Sequence, residues 1–294
     1  MFTRSTWLHL RIPFSFFLMP VFMFAAASTP DINIGRFLLV FIALHIFLYP
    51  ASNGYNSYFD KDEKSIGGLK NPPKVNKGLY HMALLLDLFA ILIGFFINWE
   101  FSLLLFIYGV VSKAYSHPAI RLKKLPYTSW FIAGLFQGAF TFVMAFMGLN
   151  GEGLSVFTNV NVIWPALLTS AILWGSYPMT QIYQHEEDVE RGDITLSFKL
   201  GVKGTFIFTA ATFAVAAALF WWYFMKQYNA NYEWIFLGSM IPILIYFNSW
   251  FLKILKDNTK ADYSHTMRLN FISAFFLNAF FIYVLLREQG LLLF

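Results

Sequence analysis

Amides, carboxylates and amines recur at one end of the apolar segments of this 294-residue chain. The stretch NSYFDKDEKS, Asn56 to Ser65, follows directly on the apolar LHIFLYPASNGY, and QHEEDVERGD, Gln184 to Asp193, closes a later apolar segment. Between them SKAYSHPAIRLKKLP supplies Lys113, Arg121, Lys123 and Lys124, while LKNPPKVNKG supplies Lys70, Lys74 and Lys77. Carboxylate and amide oxygens are hard ligands. Magnesium suits them, because it binds through one or two carboxylates, keeps waters and completes its shell with substrate phosphates. Cations beside such a site are what a diphosphate requires. Taken one at a time, each of these cations is also an ordinary residue flanking a membrane span.

Helical spacing gathers the polar residues. At about 100° per residue, His45, Tyr49, Asn53, Asn56, Asp60 and Glu63 project within an arc of roughly 80°. Tyr177, Gln181, Gln184 and Asp188 share a comparable arc, with Pro178 expected to kink their helix. Polar side chains within a membrane are costly, so such stripes face a bundle interior or a water-filled cavity. His45 alone reads as a buried imidazole, and Asp87 reads equally well as a cavity acid or as the partner of a nearby lysine. Asn53, Asn56 and Asp60 together read as a site.

The chain that must position them is 58% hydrophobic and only 13% charged, which identifies a polytopic membrane protein. About nine apolar stretches are long enough to consider as spans: 9–27, 36–55, 80–98, 101–114, 128–148, 161–183, 204–226, 233–254 and 268–287. They are continuously apolar, without the alternation of a barrel strand, so the expected fold is all-α, a single bundle over residues 1–294 around a cavity. The opening segment has a signal-peptide-like pattern, with Arg4 and Arg11 ahead of an apolar run, and is read as a retained first span. With nine spans, only Arg36, Lys226 and Arg287 fall opposite the other Lys and Arg residues. The positive-inside rule then turns the polar loops and the cavity to the cytoplasm. The net charge of +5 is thus a matter of topology, lipid headgroups and phosphates rather than nucleic acid.

Cysteine is absent, which excludes disulfides and thiolate metal sites. No linker divides the chain. The likeness of NSYFDKDEKSIGG to QIYQHEEDVERGD suggests a weak duplication that would set the two acidic clusters facing one another. Phe, Tyr and Trp make 20% of the residues, enough to wall a cavity with π-faces that stabilise a carbocation, although most such rings pack helices or face lipid.

Three stretches resemble the UbiA superfamily of intramembrane prenyltransferases. NSYFDKDEK supplies Asn56 and Asp60 of its first aspartate-rich motif, YSHPAIRLKKLP matches its loop from Tyr115 to Pro126, and EEDVERGDITLSFKLG matches its second motif through Gly201. The resemblance implies magnesium held between the motifs by Asn56, Asp60, Glu63, Gln184 and Asp188, with Asn56, Asp60 and Asp188 essential to catalysis. It also implies a polyprenyl diphosphate bound by Lys64, Lys113, Tyr115, Arg121, Lys123 and Lys124, and a cavity lined by Tyr49, Asn53, Tyr177 and Gln181. The prenyl group would pass to a hydrophobic, aromatic acceptor in the bilayer of a bacterial cytoplasmic membrane. The chain departs from the family where Ser57, Lys64, Gln181 and Gln184 stand in place of carboxylates. An amide oxygen ligates without charge and an ammonium does not ligate, so Glu63 is expected to stand in for an aspartate and Lys64 for a second ion. Terpene cyclisation, and a non-catalytic or transport role, remain the other readings; a transporter would need matching polar clusters on both membrane faces.

Overall fold

The computed structural model describes residues 3–228 and 230–292. Its helices are α1 (Arg4–Leu10), α2 (Met19–Ala27), α3 (Ile34–Asp60), α4 (Gly78–Gly94), α5 (Trp99–Ser116), α6 (Pro126–Asn150), α7 (Val160–Ser176), α8 (His185–Glu190), α9 (Leu196–Gln227), α10 (Tyr232–Lys256) and α11 (Tyr263–Glu288). Among the described residues there is no β-strand. Side-chain caps set several starts. Asn33, Asn98, Thr195 and Asp262 each accept a hydrogen bond from the backbone N–H three residues on, satisfying a donor that the first turn leaves free.

Helices occupy most of all nine apolar stretches, but length and composition single out five as able to cross a membrane: α3, α6, α9, α10 and α11. A sixth forms if the segment Arg4–Phe17 and α2, bent by 43°, count as one span. The expectation of about nine is not met by this measure. α4 and α7 have 17 residues each, roughly 26 Å of helix against a hydrocarbon core of about 30 Å. The expected helix over 161–183 is also broken. α7 stops at Ser176, a tight 3-10 turn of Tyr177–Gln181 follows with Pro178 near its start, and α8 then sets off separately.

α2, α6, α7, α9, α10 and α11 pack as a closed circuit, each against the next and α11 back against α2; α3, α4 and α5 pack beside it, joined to it through α6. At the centre Phe24 stacks on Phe281 at 4.6 Å and meets Phe142 edge-on at 5.1 Å. Outward-facing residues such as Phe96, Phe106, Val215, Ile245 and Phe271 are exposed, as a lipid-facing surface requires.

Two spans carry π-helical turns facing the interior, Ile42–Leu48 in α3 and Phe136–Phe140 in α6. The second coincides with a close approach: a Cβ on Gly138 would lie 2.6 Å from the Ser170 backbone of α7. Ser170 Oγ accepts from Ala139 N–H and donates to the Gly134 carbonyl, both at 2.9 Å, so the groups disturbed by the bulge are paired.

Candidate functional site

α3 ends at Asp60 because Lys61 turns left-handed, at φ 51°, and returns its N–H to the Ser57 carbonyl. Arg11 and Arg121 are left-handed too. Of the four described non-glycine residues with positive φ, Arg11 lines one cavity, Lys61 lies between two residues that line it and Arg121 pairs with a third, a concentration of backbone strain of the kind that functional sites carry.

This cavity, about 240 Å³, lies where the end of α3, the loop after it, the segment before α6 and the α8 region converge. The second acidic segment reaches the first through several contacts, three of them at or beside the cavity. Gln184 Nε2 donates to the Ser65 carbonyl at 3.3 Å, Glu187 Oε1 accepts from Glu63 N–H at 3.0 Å, and the Arg191 guanidinium donates to Asp62. The anticipated meeting of the two acidic segments is thus present in the fold.

Every carboxylate on the cavity wall faces a cation. Lys123 Nζ donates to Asp60 and lies 3.2 Å from Asp193, while Arg121 grips Asp193 with two bonds of 2.8 Å. Arg191 holds Asp62 and also reaches Asp188 at 3.2 Å. Burial opposes the charged form of Asp193, but the hydrogen bonds from Arg121 and Lys123 overcome it and hold the carboxyl below its usual range. Asp188 has weaker support: burial pushes it up to about 7 against the pull of Arg191 and Lys123. Burial works against the Arg191 charge as well, yet Asp62 outweighs it and the guanidinium is held above its ordinary value. Among the described residues no three acidic or imidazole side chains cluster closely enough to hold a metal by themselves, so any cation here draws on amide oxygens or on substrate.

Of the residues expected from sequence, Asn53, Asn56, Asp60, Tyr115, Lys123, Tyr177, Gln181, Gln184 and Asp188 line this cavity. Asn56 Nδ2 donates to Ser116 Oγ at 2.8 Å, and the Tyr115 and Tyr177 hydroxyls bond to each other. Four others lie elsewhere. Glu63 is exposed, because the helix on which its angle was reckoned ends three residues earlier. Lys64 pairs with Glu186 at 3.1 Å on the surface, where the two side chains are 60% and 85% exposed. Lys113 is taken up by Asp87, which answers the question left open for that acid, and Lys124 is exposed. Lys70, Lys74 and Lys77 are exposed as well, and His45 is packed among Phe22, Phe41 and Tyr49. Arg121 reaches the site through Asp193.

Arg11, Asp62, Arg191 and Asp193 line the cavity and were not singled out by spacing. Arg11 donates to the Gly67 and Asn53 carbonyls at 3.0 and 3.3 Å. The sequence signal for Asp62 was the polar run after Asp60, which argues for a helix end rather than for another turn. For Arg191 it was the i,i+3 spacing to Asp188.

A second cavity of about 770 Å³ adjoins the first and shares Asn53, Tyr108, Gln137 and Tyr177 with it. Its walls come from α2, α3, α7, α9, α10 and α11 and are mostly apolar, Phe213, Ala217, Phe220, Leu237 and Leu277 among them. Tyr49, expected to line a cavity, is on this wall. The π-helical turns serve both chambers, since Gln137 lies within one and Tyr49 and Asn53 follow the other.

The profile of the UbiA prenyltransferase family matches residues 16–279. Among solved structures, the apo form of a UbiA homologue from Aeropyrum pernix K1 is similar with a TM-score of 0.72 at 17% identity, covering 92% of this chain and 98% of that one. A UbiA homologue from Archaeoglobus fulgidus bound to GPP and Mg2+ gives a TM-score of 0.65 at 18% identity, covering 95% and 99%. A digeranylgeranylglyceryl phosphate synthase gives 0.61 at 18%, covering 98% of each chain. At these identities the likeness is one of fold. No curated protein matched the chain.

Proposed function

The chain belongs to the UbiA prenyltransferase family, and from that premise we propose that it transfers a prenyl group from a polyprenyl diphosphate to a lipid-soluble, aromatic acceptor within the membrane. One observation carries this reading: a charged chamber adjoins a larger apolar one across shared wall residues, matching a substrate with an anionic head and an isoprenoid tail. The head would meet Lys123 and Arg11, with Arg121 behind them on Asp193. In the reaction the allylic C–O bond breaks with its electron pair leaving on the diphosphate oxygen. The acceptor's nucleophilic atom then forms the new bond to the allylic carbon and gives up its proton.

The rings of Tyr108, Tyr177 and Phe14 lie at the junction of the chambers, where their π-faces would stabilise the developing allylic cation. The apolar walls keep water from capturing that cation before the acceptor does. The donor set suits magnesium. Asp60 and Asp188 offer carboxylates, Asn56 and Gln184 offer amide oxygens, and the Gln181 Oε1 at the cavity wall is buried with no partner. When bound, the ion would supply positive charge to the departing diphosphate. The shorter helices α4, α5 and α7 are read as completing about nine spans, and the excess of Lys and Arg at the site end as turning the polar chamber to the cytoplasm.

The test is release of diphosphate from farnesyl and geranylgeranyl diphosphate by the detergent-purified protein, with and without magnesium, with the lipid products analysed alongside. Magnesium-dependent release with the prenyl group recovered on an added phenolic or quinol acceptor is expected. A cyclised hydrocarbon product would replace transfer with cyclisation, and absence of both release and diphosphate-analogue binding would overturn the reading.

A further inference from the structure

Two cations on the cavity wall bridge the acidic segments, Lys123 from Asp60 to Asp193 and Arg191 from Asp62 to Asp188; Arg191 is the one carried by a segment itself. It leaves the end of α8, and its guanidinium lies between the two acidic segments. There it touches Asp62 and Asp188, approaches Glu187 Oε1 at 3.8 Å, and donates to the Asp60 backbone carbonyl at 3.4 Å. These are oxygens of the kind a divalent cation bridging the segments would use. The Arg191 side chain is only 20% exposed, and its Nε is buried with no partner. A guanidinium stays charged at any physiological pH and cannot ligate a metal, so while it remains there it both neutralises these oxygens and denies them to a metal.

The rest of the cluster is divided in the same way. Asp193 is taken by Arg121 and Lys123. Asp60 meets Lys123, whose flexible ammonium can turn to an arriving phosphate, and the amides of Asn56, Gln181 and Gln184 add oxygens without charge. That inventory is enough for one magnesium ion sharing its shell with a diphosphate. Resting on the function proposed above, we infer that Arg191 is a resident cation of the acidic cluster, standing where a second divalent ion would otherwise be required, so that the diphosphate substrate binds with a single magnesium ion per chain. Arg191 is here a positioning residue, acting on the ligand through the carboxylates it holds.

The experiment counts Mn2+ bound per chain by paramagnetic resonance and equilibrium dialysis, in the presence of a non-hydrolysable farnesyl thiolodiphosphate. One Mn2+ is expected in the wild type and in Arg191→Lys. Arg191→Gln is expected to bind two, or to lower the half-saturating Mn2+ concentration by about tenfold or more, because the carboxylates that the guanidinium neutralised are then free for the metal. Two ions in the wild type would overturn the inference and leave the proposed function standing. One ion in Arg191→Gln at an unchanged Mn2+ requirement would reduce Arg191 to a structural tie and overturn it as well. If Arg191→Gln does not fold, the wild-type and Arg191→Lys counts decide between one ion and two. Failure of the wild type to bind the analogue at any Mn2+ concentration would overturn the proposed function, and the inference with it.

Discussion

The polar chamber draws its charged residues from helix ends and the segments beside them, and is held by ion pairs between residues far apart in the chain, such as Arg121 with Asp193 and Arg191 with Asp62. The apolar chamber beside it is walled by the middles of helices and held by the packing of rings and aliphatic side chains, as where Phe220 stacks on Phe236 at 5.0 Å. The difference teaches which kind of change each tolerates. A charge removed from the first leaves its partner unpaired in a buried place, at a cost set by electrostatics and felt at once in chemistry. A side chain altered in the second changes volume, and under the proposed function volume would set which tail fits.

The largest effect should come from breaking the polar chamber. Asp60→Ala and Asp188→Ala are each expected to lower the rate of diphosphate release by at least about 100-fold, while circular dichroism shows the helices intact. Full activity in both variants would sink the assignment of these carboxylates to the site.

The apolar chamber can be sharpened from one position. Gly238 is on its wall and exposed, and a Cβ there would meet nothing within 4 Å, so Gly238→Phe adds a ring at the chamber's edge without a clash. The ratio of kcat/KM for geranylgeranyl to geranyl diphosphate should fall by about tenfold or more, with little change for the short donor. An unchanged ratio would mean that the tail does not run past α10.

A smaller effect is expected from pH. Asp188 is raised from 3.8 to about 7, so between those values the folded, metal-free protein binds a proton that the unfolded chain releases. Stability of the metal-free protein should therefore fall as pH rises from about 4 to about 7 and level off above, while Mn2+ affinity rises over the same window because ligation displaces the proton. Thermal melts and Mn2+ titrations from pH 5 to pH 8 read both slopes, and Asp188→Asn should flatten them. Least of all should follow from Lys64→Ala. Its ion pair with Glu186 is on the surface, and diphosphate release should stay within about twofold of wild type.

The comparison also divides what spacing could reveal from what it could not. Helical periodicity located Asn53, Asn56 and Asp60 on one face because they do share one helix, and it found Tyr177, Gln181, Gln184 and Asp188 although their helix is broken. The second success has a different cause. A tight turn followed by a new helix brings the same residues to the cavity that a continuous helix would have. Periodicity failed at Glu63, where the 100° step was carried past the left-handed Lys61, and the acid that lines the chamber is Asp62. The span count rests on composition, which marks a segment that can be buried without fixing whether it is long enough to cross; by length and composition together five or six helices qualify among the described residues.

By itself the sequence determined that this is an all-helical membrane protein of the UbiA family with carboxylates, amides and cations gathered at one set of helix ends. Composition, the absence of strand alternation and the three motifs depend only on neighbours along the chain. Only the tertiary structure decided which charges meet. Lys64 and Lys113 are spent on Glu186 and Asp87, while Arg11, Arg191 and Asp193 enter the chamber. A side chain's partner is fixed by where its helix ends and by what packs opposite it. Neither a loop's left-handed residue nor a contact across more than a hundred residues leaves a periodic trace in sequence.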